Sequence, residues 1–204
     1  MERALADRGY EVINLAYWGD TIREISERLE FVEALKNTKA KILLLGGGGN
    51  DLLQYGRLQQ FLKIFDEHRP VKDYLKPEFT IELARVMSSY EICLSALKAN
   101  KLSKVMVVVH GYDYAQPMSL GWLGEPLETM GIDDAGLQKS IIKHMMDLFN
   151  NALKAMARNH ANVVYVNLRN TVKNRWHDEL HPSKEAFADI AKKIEQTITE
   201  IPVG

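Results

Sequence analysis

A carboxylate and an imidazole lie three positions apart near the carboxyl terminus. Residues 176–182 read WHDELHP, which places Asp178 before His181 and Pro182 directly after it. In a loop, the Asp178 carboxylate can fold back and accept a hydrogen bond from one nitrogen of the His181 ring. That bond fixes the tautomer and leaves the other ring nitrogen to act as a general base. Because Pro182 suits the first helical position, we expect His181 to lie in a fixed loop just before a helix.

A side-chain amide follows the most apolar strand candidate. Residues 42–45 are continuously apolar, and they lead into the four glycines Gly46 to Gly49 and then Asn50. Glycine allows a sharp turn or the close approach of a ligand, and ligands of open α/β sheets bind outside the carboxyl ends of the strands. Asn50 could donate hydrogen bonds at that place, although it also suits the cap of a helix.

The two histidines of the 176–182 segment also suggest a rival chemistry. His177 and His181 are four residues apart with acids between them, as in the zinc motif H-E-x-x-H. That motif requires both histidines on one face of a continuous helix. Pro182 disfavours helical geometry at His181, and the second position is Asp178 rather than glutamate. We therefore expect no metal and no cofactor here, and we interpret His177 as a surface or loop residue.

The chain alternates between strand and helix patterns. The unalternated run at residues 42–45 is typical of a strand covered on both faces. Other strands are predicted over residues 11–16, 104–109 and 162–168. Helices are predicted over residues 1–8, 22–35, 58–65, 81–99, 137–160 and 183–198. This order predicts an α/β fold with right-handed crossovers and a parallel sheet that carries helices on both faces.

One long segment lacks the regular spacing of apolar residues that is typical of a helix or a strand. Residues 114–136 are interrupted by prolines and glycines, yet they contain Trp122 and other large apolar residues that argue against disorder. A loop of this length in a compact domain is usually functional. We interpret it as a loop that covers a pocket.

Composition excludes several classes of protein. The 204 residues fit a single domain spanning 1–204, and the net charge of −1 gives no reason to expect nucleic acid or anionic membrane as a partner. No apolar run is long enough to cross a bilayer, and the first ten residues lack the apolar region of a secretory signal. Cys93, the single cysteine, is expected to be a buried structural thiol. The predicted location is the cytoplasm.

Three short blocks together resemble the SGNH, or GDSL-type, hydrolases. Residues 14–19, NLAYWG, resemble the family's second block, residues 48–51, GGND, its third, and residues 178–182, DELHP, its fifth. The resemblance implies a flavodoxin-like three-layer α/β/α fold and an esterase or acylhydrolase that cleaves small-molecule esters by Ser-His-Asp chemistry. It assigns Asp178 and His181 as triad acid and base.

The same resemblance assigns the groups around the reacting carbonyl. Gly19 would donate its backbone N–H to the oxyanion, and Asn50 would donate its side-chain amide. Residues 110–113, HGYD, also resemble a segment of a bacterial branch of this family, without a firm role. The candidate substrate contacts are Gly49, His110, Tyr112 and Trp122.

The family's first block, Gly-Asp-Ser, does not occur in this sequence. By the family pattern this block, with the first strand and the nucleophile, would precede Met1, so we expect negligible esterase activity from the 204 residues. Ser119, in the long loop, is the only serine that could reach the pocket, and Thr21 follows Gly19-Asp20 but belongs to the second block. Without the first strand, a four-stranded sheet is expected. Its two flanking strands would pair directly, the amino-terminal segment would loosen, or another chain would complete the sheet.

Two other functions remain open at this point. The first is a non-catalytic module that binds a small molecule or ester on the same fold, although such a module has no evident need for a His181 oriented by an acid. The second is a nucleotide-phosphate cradle formed by the glycine run. That run lacks the G-x-G-x-x-G spacing and the G-K-[ST] ending that phosphate loops use.

Overall fold

The core of the protein is a parallel sheet of three strands. A computed structural model describes residues 1–53 and 58–200. Within them the strands are β1 (Ile42–Leu45), β2 (Met106–His110) and β3 (Val163–Val166), in the order β1-β2-β3. The register places Leu45 beside Val109 and His110 beside Val166, so the carboxyl ends of the strands meet at one edge.

Helices cover both faces of this sheet, as the predicted α/β fold requires. The helices are α1 (Glu2–Ala6), α2 (Ile22–Arg28), α3 (Glu30–Asn37), α4 (Gly49–Leu53), α5 (Pro77–Ala99), α6 (Gly124–Thr129), α7 (Ala135–Ala157) and α8 (Lys184–Thr199). Along β2, Val107 and Val109 belong to one buried cluster with residues of α2, α3, α5 and α7, whereas Val108 belongs to a second cluster with residues of α1 and α8. The alternation of side chains along a strand therefore builds the three layers.

The predicted strand over residues 11–16 is wrong: none of these residues is in a strand. Val12 packs against the same buried cluster as Ile42 and Leu44 of β1, but Ile13 and Leu15 are exposed. A strand forms only where its backbone groups pair with a neighbour, which an apolar pattern alone cannot provide. Among the described residues, 11–16 do not pair with β1, so β1 is an edge strand of a three-stranded rather than four-stranded sheet. A looser amino-terminal segment and completion of the sheet by another chain stay predictions.

Several predicted helices differ from those observed. The helix expected over residues 22–35 is divided at Leu29, which has a φ of 52° and ends α2. Thr21 caps α2 in a reciprocal capping box with Glu24. In place of the helix at 58–65 there is a short 3-10 helix, Leu58–Phe61, and a second one, Val71–Tyr74, lies in the connection after it.

Two boundaries close to the site also differ. The long segment 114–136 contains α6, so it is not a single loop. Helix α8 begins at Lys184 with Ser183 as its cap, and Pro182 therefore lies outside the helix rather than at its first position. His181 is in the preceding loop, as expected.

Among the described residues, no helix combines the length and apolar character needed to cross a membrane.

Candidate active site

The predicted contact between Asp178 and His181 forms in the structure. His181 Nδ1 lies 2.8 Å from Asp178 Oδ2, and the backbone N–H groups of Leu180 and His181 each donate to Asp178 Oδ1 over 2.8 Å. The surrounding loop is closed by the bridge between Trp176 and Pro182. Because the segment is a closed loop, His177 and His181 do not share a helix face, and the zinc-motif geometry does not occur.

Asp178 is held in its charged form. Its partial burial acts to raise the pKa, but the hydrogen bonds from the Leu180 and His181 backbone and from the His181 ring outweigh it, so the pKa of Asp178 is lowered. His181 Nε2 has no hydrogen-bond partner within the described residues, and 57% of the His181 side chain is exposed. If Nδ1 carries the proton donated to Asp178, Nε2 has the free lone pair of a general base.

The Gly19 turn lies next to His181. The Trp18 ring centroid is 6.2 Å from that of His181. Gly19 has a φ of +80°, a conformation that favours glycine, and the turn is closed by the Asp20 N–H, which donates to the Tyr17 carbonyl over 3.3 Å. Within the described part of the chain the Gly19 N–H makes no hydrogen bond. It is therefore an available donor on the turn whose Trp18 ring neighbours the imidazole.

Asn50 contacts the same turn from the end of β1. Its Nδ2 donates to the Asp20 backbone carbonyl over 2.9 Å, which uses one of its two N–H groups. The next residue, Asp51, accepts hydrogen bonds from the backbone of Ile22 over 2.9 Å and of Arg23 over 3.4 Å, at the start of α2. Burial raises the pKa of Asp51, although these hydrogen bonds oppose it. The two predicted oxyanion donors, Gly19 and Asn50, thus belong to one connected structure.

The Tyr112 hydroxyl forms hydrogen bonds with the backbone of the glycine turn. Its Oη donates to the Gly47 carbonyl over 3.2 Å and accepts from the Gly49 N–H over 3.3 Å. Burial raises the pKa of Tyr112 to about 12. Behind it, the fully buried Asn150 bonds both the N–H and the carbonyl of Tyr112, over 3.1 and 2.9 Å. In this structure Tyr112 and Gly49 are therefore joined by a hydrogen bond.

His110 packs against the same turn. Its ring lies so close to Gly46 that a Cβ there would be 2.7 Å from Nε2. Burial lowers the pKa of His110, and the nearby amino group of Met1 lowers it further, whereas a hydrogen bond with the Gly111 carbonyl acts to raise it. His110 is therefore a neutral, half-buried residue at the carboxyl end of β2. Trp122 lies on the segment before α6, and 55% of the residue is exposed.

The two hydroxyl residues considered from the sequence, Thr21 and Ser119, make no hydrogen bond to His181. The Thr21 hydroxyl donates to Glu24 over 2.7 Å and accepts from its N–H, which engages it in the capping box. Ser119 is exposed in a turn. No hydrogen bond among the described residues joins a serine hydroxyl to His181.

The His181 ring and the Trp18 ring next to it face solvent, since 57% of the His181 side chain and 98% of Trp18 are exposed. A groove of about 610 Å³ lies elsewhere, against the start of α5 and the middle of α7, and includes none of the predicted site residues. Its lining includes Lys63, Lys72, Lys76 and His144. No group of three or more His, Cys, Asp or Glu side chains in the described ranges could hold a metal ion.

Sequence reasoning missed Glu179. Only 4% of this residue is exposed, and its carboxylate accepts hydrogen bonds from three backbone N–H groups, those of Met118, Leu123 and Gly124, at and before the start of α6. In the D-x-x-H-P pattern its position is unrestricted, so it counted as a spacer. An acid within an otherwise polar loop gives no sequence signal of burial.

A family model described as the GDSL-like lipase/acylhydrolase family matches residues 1–188. The chain belongs to this family. No curated protein matches the sequence. Several solved structures of GDSL-like and related hydrolases share the fold of this GDSL-family chain.

The similarity to those structures is in fold. A Bacteroides fragilis protein assigned as an acylhydrolase is 16% identical, with a TM-score of 0.60 over 97% of this chain and 78% of the other. A GDSL-like lipase from Bacteroides thetaiotaomicron is 15% identical, with a TM-score of 0.54 over 97% and 79%. A mutant of an acetyl-xylooligosaccharide esterase from Geobacillus is 14% identical, with a TM-score of 0.54 over 91% and 71%.

Proposed function

We propose that this GDSL-family chain provides the general base and the oxyanion-stabilising groups of an esterase that acts on small-molecule esters. The observation that carries the proposal is His181: its Nδ1 is held by Asp178 at 2.8 Å, its Nε2 has no partner among the described residues, and its ring centroid lies 6.2 Å from that of Trp18, which precedes Gly19. The family and the ester-cleaving enzyme among the structural relatives support the ester class of substrate.

The chemistry follows from these groups. A hydroxyl oxygen attacks the ester carbonyl carbon while His181 Nε2 takes its proton, and Asp178 stabilises the resulting imidazolium. The Gly19 N–H and the Asn50 amide donate to the oxyanion of the tetrahedral intermediate; one such donor is worth about 3–4 kcal/mol in related sites. The imidazolium then protonates the leaving alkoxide, and the same base activates water to release the acid.

The hydroxyl nucleophile is the part that these residues do not provide. The sequence contains no Gly-Asp-Ser, and Thr21 is engaged as a helix cap. Loss of the nucleophile removes the covalent route and leaves only a weak effect from the oxyanion donors and the base. We therefore propose negligible ester hydrolysis by the 204 residues alone.

The test supplies the nucleophile. Met1 packs against the buried cluster that contains Val108 of β2, and its amino group lowers the pKa of His110 at the carboxyl end of the same strand. An apolar strand ending in Gly-Asp-Ser, joined to Met1, would pair with the free edge of β1. We expect this extended chain to hydrolyse a short-chain nitrophenyl ester well above the unextended chain.

Three matched variants complete the test. Hydrolysis by the extended chain should disappear when the added serine is replaced by alanine, and also with His181→Ala. Asp178→Asn should remove most of it. A folded extended chain that does not hydrolyse the ester, or whose hydrolysis is indifferent to His181→Ala, would refute the proposal.

A further inference from the structure

Glu179 links two segments that are far apart in the sequence. The cover segment, residues 116–124, lies against the loop that carries Asp178 and His181. Glu179 Oε1 accepts from the N–H of Met118 over 2.6 Å and of Gly124 over 3.0 Å, and Oε2 accepts from the N–H of Leu123 over 3.1 Å. The Glu179 carbonyl accepts a fourth hydrogen bond, from the Gln116 N–H over 3.2 Å.

The approach of the two segments depends on glycine. A Cβ at Gly121 would collide with the Glu179 carboxylate, and a Cβ at Gly124 would collide with the Met118 carbonyl. Gly121 does not have a positive φ, so its substitution by alanine is opposed by this contact rather than by backbone strain. The carboxylate thus sits in a space formed by main-chain N–H groups and bounded by a glycine.

The other hydrogen bonds of the two segments indicate which of them would loosen if the Glu179 carboxylate were removed. The catalytic loop is closed independently, because the His177 N–H donates to the His181 carbonyl over 2.7 Å and the Ser183 N–H donates to the Arg175 carbonyl over 2.8 Å. The start of the cover segment has a short internal turn, in which the Gly121 N–H donates to the Met118 carbonyl over 3.0 Å. Removing the carboxylate should therefore loosen the cover segment and leave the Asp178–His181 pair in place.

The cover segment presents apolar side chains to solvent. Met118 is 54% exposed, Leu120 83% and Trp122 55%. Leu120 also has a φ of 59°, which is rare for a residue with a side chain. Ordered, exposed apolar residues next to a catalytic loop are typical of a surface that contacts a ligand.

We propose that Glu179 is a positioning residue that fixes the cover segment against the catalytic loop, so that Met118, Leu120 and Trp122 contact the apolar, non-reacting part of the ester. The inference rests on the proposed function, since it assigns the substrate contact of the same site. It adds that recognition depends on a carboxylate that takes no part in proton transfer. A long apolar acyl chain is the ligand class that this surface fits.

Backbone amide exchange tests the positioning on the unmodified chain. Glu179→Gln keeps the shape but replaces one acceptor oxygen with an N–H₂ group that faces a donor, and Gly121→Ala displaces the carboxylate while keeping its charge. Both should increase exchange at Met118, Leu123 and Gly124 by at least about tenfold, since charge-assisted hydrogen bonds are lost. Glu125→Gln is the control, because Glu125 directly follows the cover segment, is exposed, and undergoes the same change of charge.

Ligand binding tests the recognition. Ketones are not hydrolysed, so methyl octyl ketone and methyl ethyl ketone report affinity at equilibrium through tryptophan fluorescence. The unmodified chain and Glu125→Gln should bind the longer ketone at least about tenfold more tightly, as expected from its additional buried methylenes. Glu179→Gln and Gly121→Ala should lose most of this preference.

The outcomes separate this inference from the proposed function. Unchanged exchange at the three N–H groups, an equal increase across the whole chain, or an intact preference for the longer ketone in both variants would each overturn it. So would the lack of any such preference in the unmodified chain. An inactive serine-bearing chain with these binding results intact would instead refute only the esterase proposal.

Discussion

Asn50 donates a hydrogen bond through its Nδ2 to the backbone carbonyl of Asp20, 30 residues earlier, over 2.9 Å. This contact joins the turn after β1 to the turn that contains Gly19, although residues 11–16 before that turn form no strand. The two predicted oxyanion donors are therefore held together by side-chain and capping contacts rather than by strand pairing. Asp51, which accepts from the start of α2, strengthens the same connection.

Asn50→Ala should destabilise the fold modestly. It removes the bond to the Asp20 carbonyl, and a hydrogen bond of this kind contributes about 1 kcal/mol. Asn159→Ala, at an exposed position near the end of α7, is the matched control and should stay within about 0.5 kcal/mol of the unmodified chain. Urea unfolding measures both. Equal effects of the two substitutions would show that the Asn50 contact is not formed in solution.

Asp178 should make stability depend on acid pH. Because its pKa is lowered in the fold, its contribution is present above the unfolded value of about 3.9 and is lost as pH falls through the folded value. The side chain is 48% exposed, so solvent screening limits this contribution to about 0.2–1 kcal/mol. Urea unfolding of the unmodified chain and of Asp178→Asn between pH 6 and pH 3 should show the difference shrinking toward acid; a constant difference would contradict the lowered pKa.

His110 should produce a second pH dependence at higher pH. Burial lowers its pKa in the fold, so below about 6.5 the unfolded chain binds the proton more readily and stability falls as pH falls. His110→Gln removes this ionisation. Because all other titrating groups are common to both proteins, their pH effects cancel in the difference between the two unfolding free energies. The difference in unfolding free energy between the two proteins should decrease from pH 7.5 to pH 5. A difference that increases over this range would reverse the sign of the shift.

Asn150→Leu should be strongly destabilising. Asn150 is fully buried, bonds the Tyr112 backbone twice and accepts from the Tyr165 hydroxyl over 3.0 Å. Leucine would leave these buried groups unpaired, at a cost of about 3 kcal/mol or more. Lys154→Leu, at an exposed position later on α7, is the control for introducing leucine on this helix. Thermal or urea unfolding measures both variants. Comparable losses of stability in the two would show that the hydrogen bonds of Asn150 to Tyr112 do not stabilise the fold.

The elements that the sequence predicted well are those whose signal is local. The apolar runs at β2 and β3 and the periodic helices α5 and α7 are found within a few residues of their predicted ends. The contact between Asp178 and His181 was also predictable, because three residues of loop suffice to form it. Their catalytic roles, and those of Gly19 and Asn50, remain predictions.

The features that were not predicted depend on distant partners. Residues 11–16 have a strand-like pattern but no paired neighbour, and Leu29 adopts a left-handed conformation that its residue type does not favour. The burial of Glu179 depends on N–H groups 55 to 61 residues earlier. Such contacts leave no trace in local composition or period.

The central claim is that this chain provides the base and oxyanion donors of an esterase but not its nucleophile. Mass spectrometry after treatment with a fluorophosphonate probe tests it most directly, on the unmodified chain and on the chain extended by the strand that ends in Gly-Asp-Ser. The account predicts no adduct on the unmodified chain, and on the extended chain an adduct at the added serine that His181→Ala abolishes. An adduct on any residue of the unmodified chain, or a folded extended chain that stays unlabelled, would contradict it.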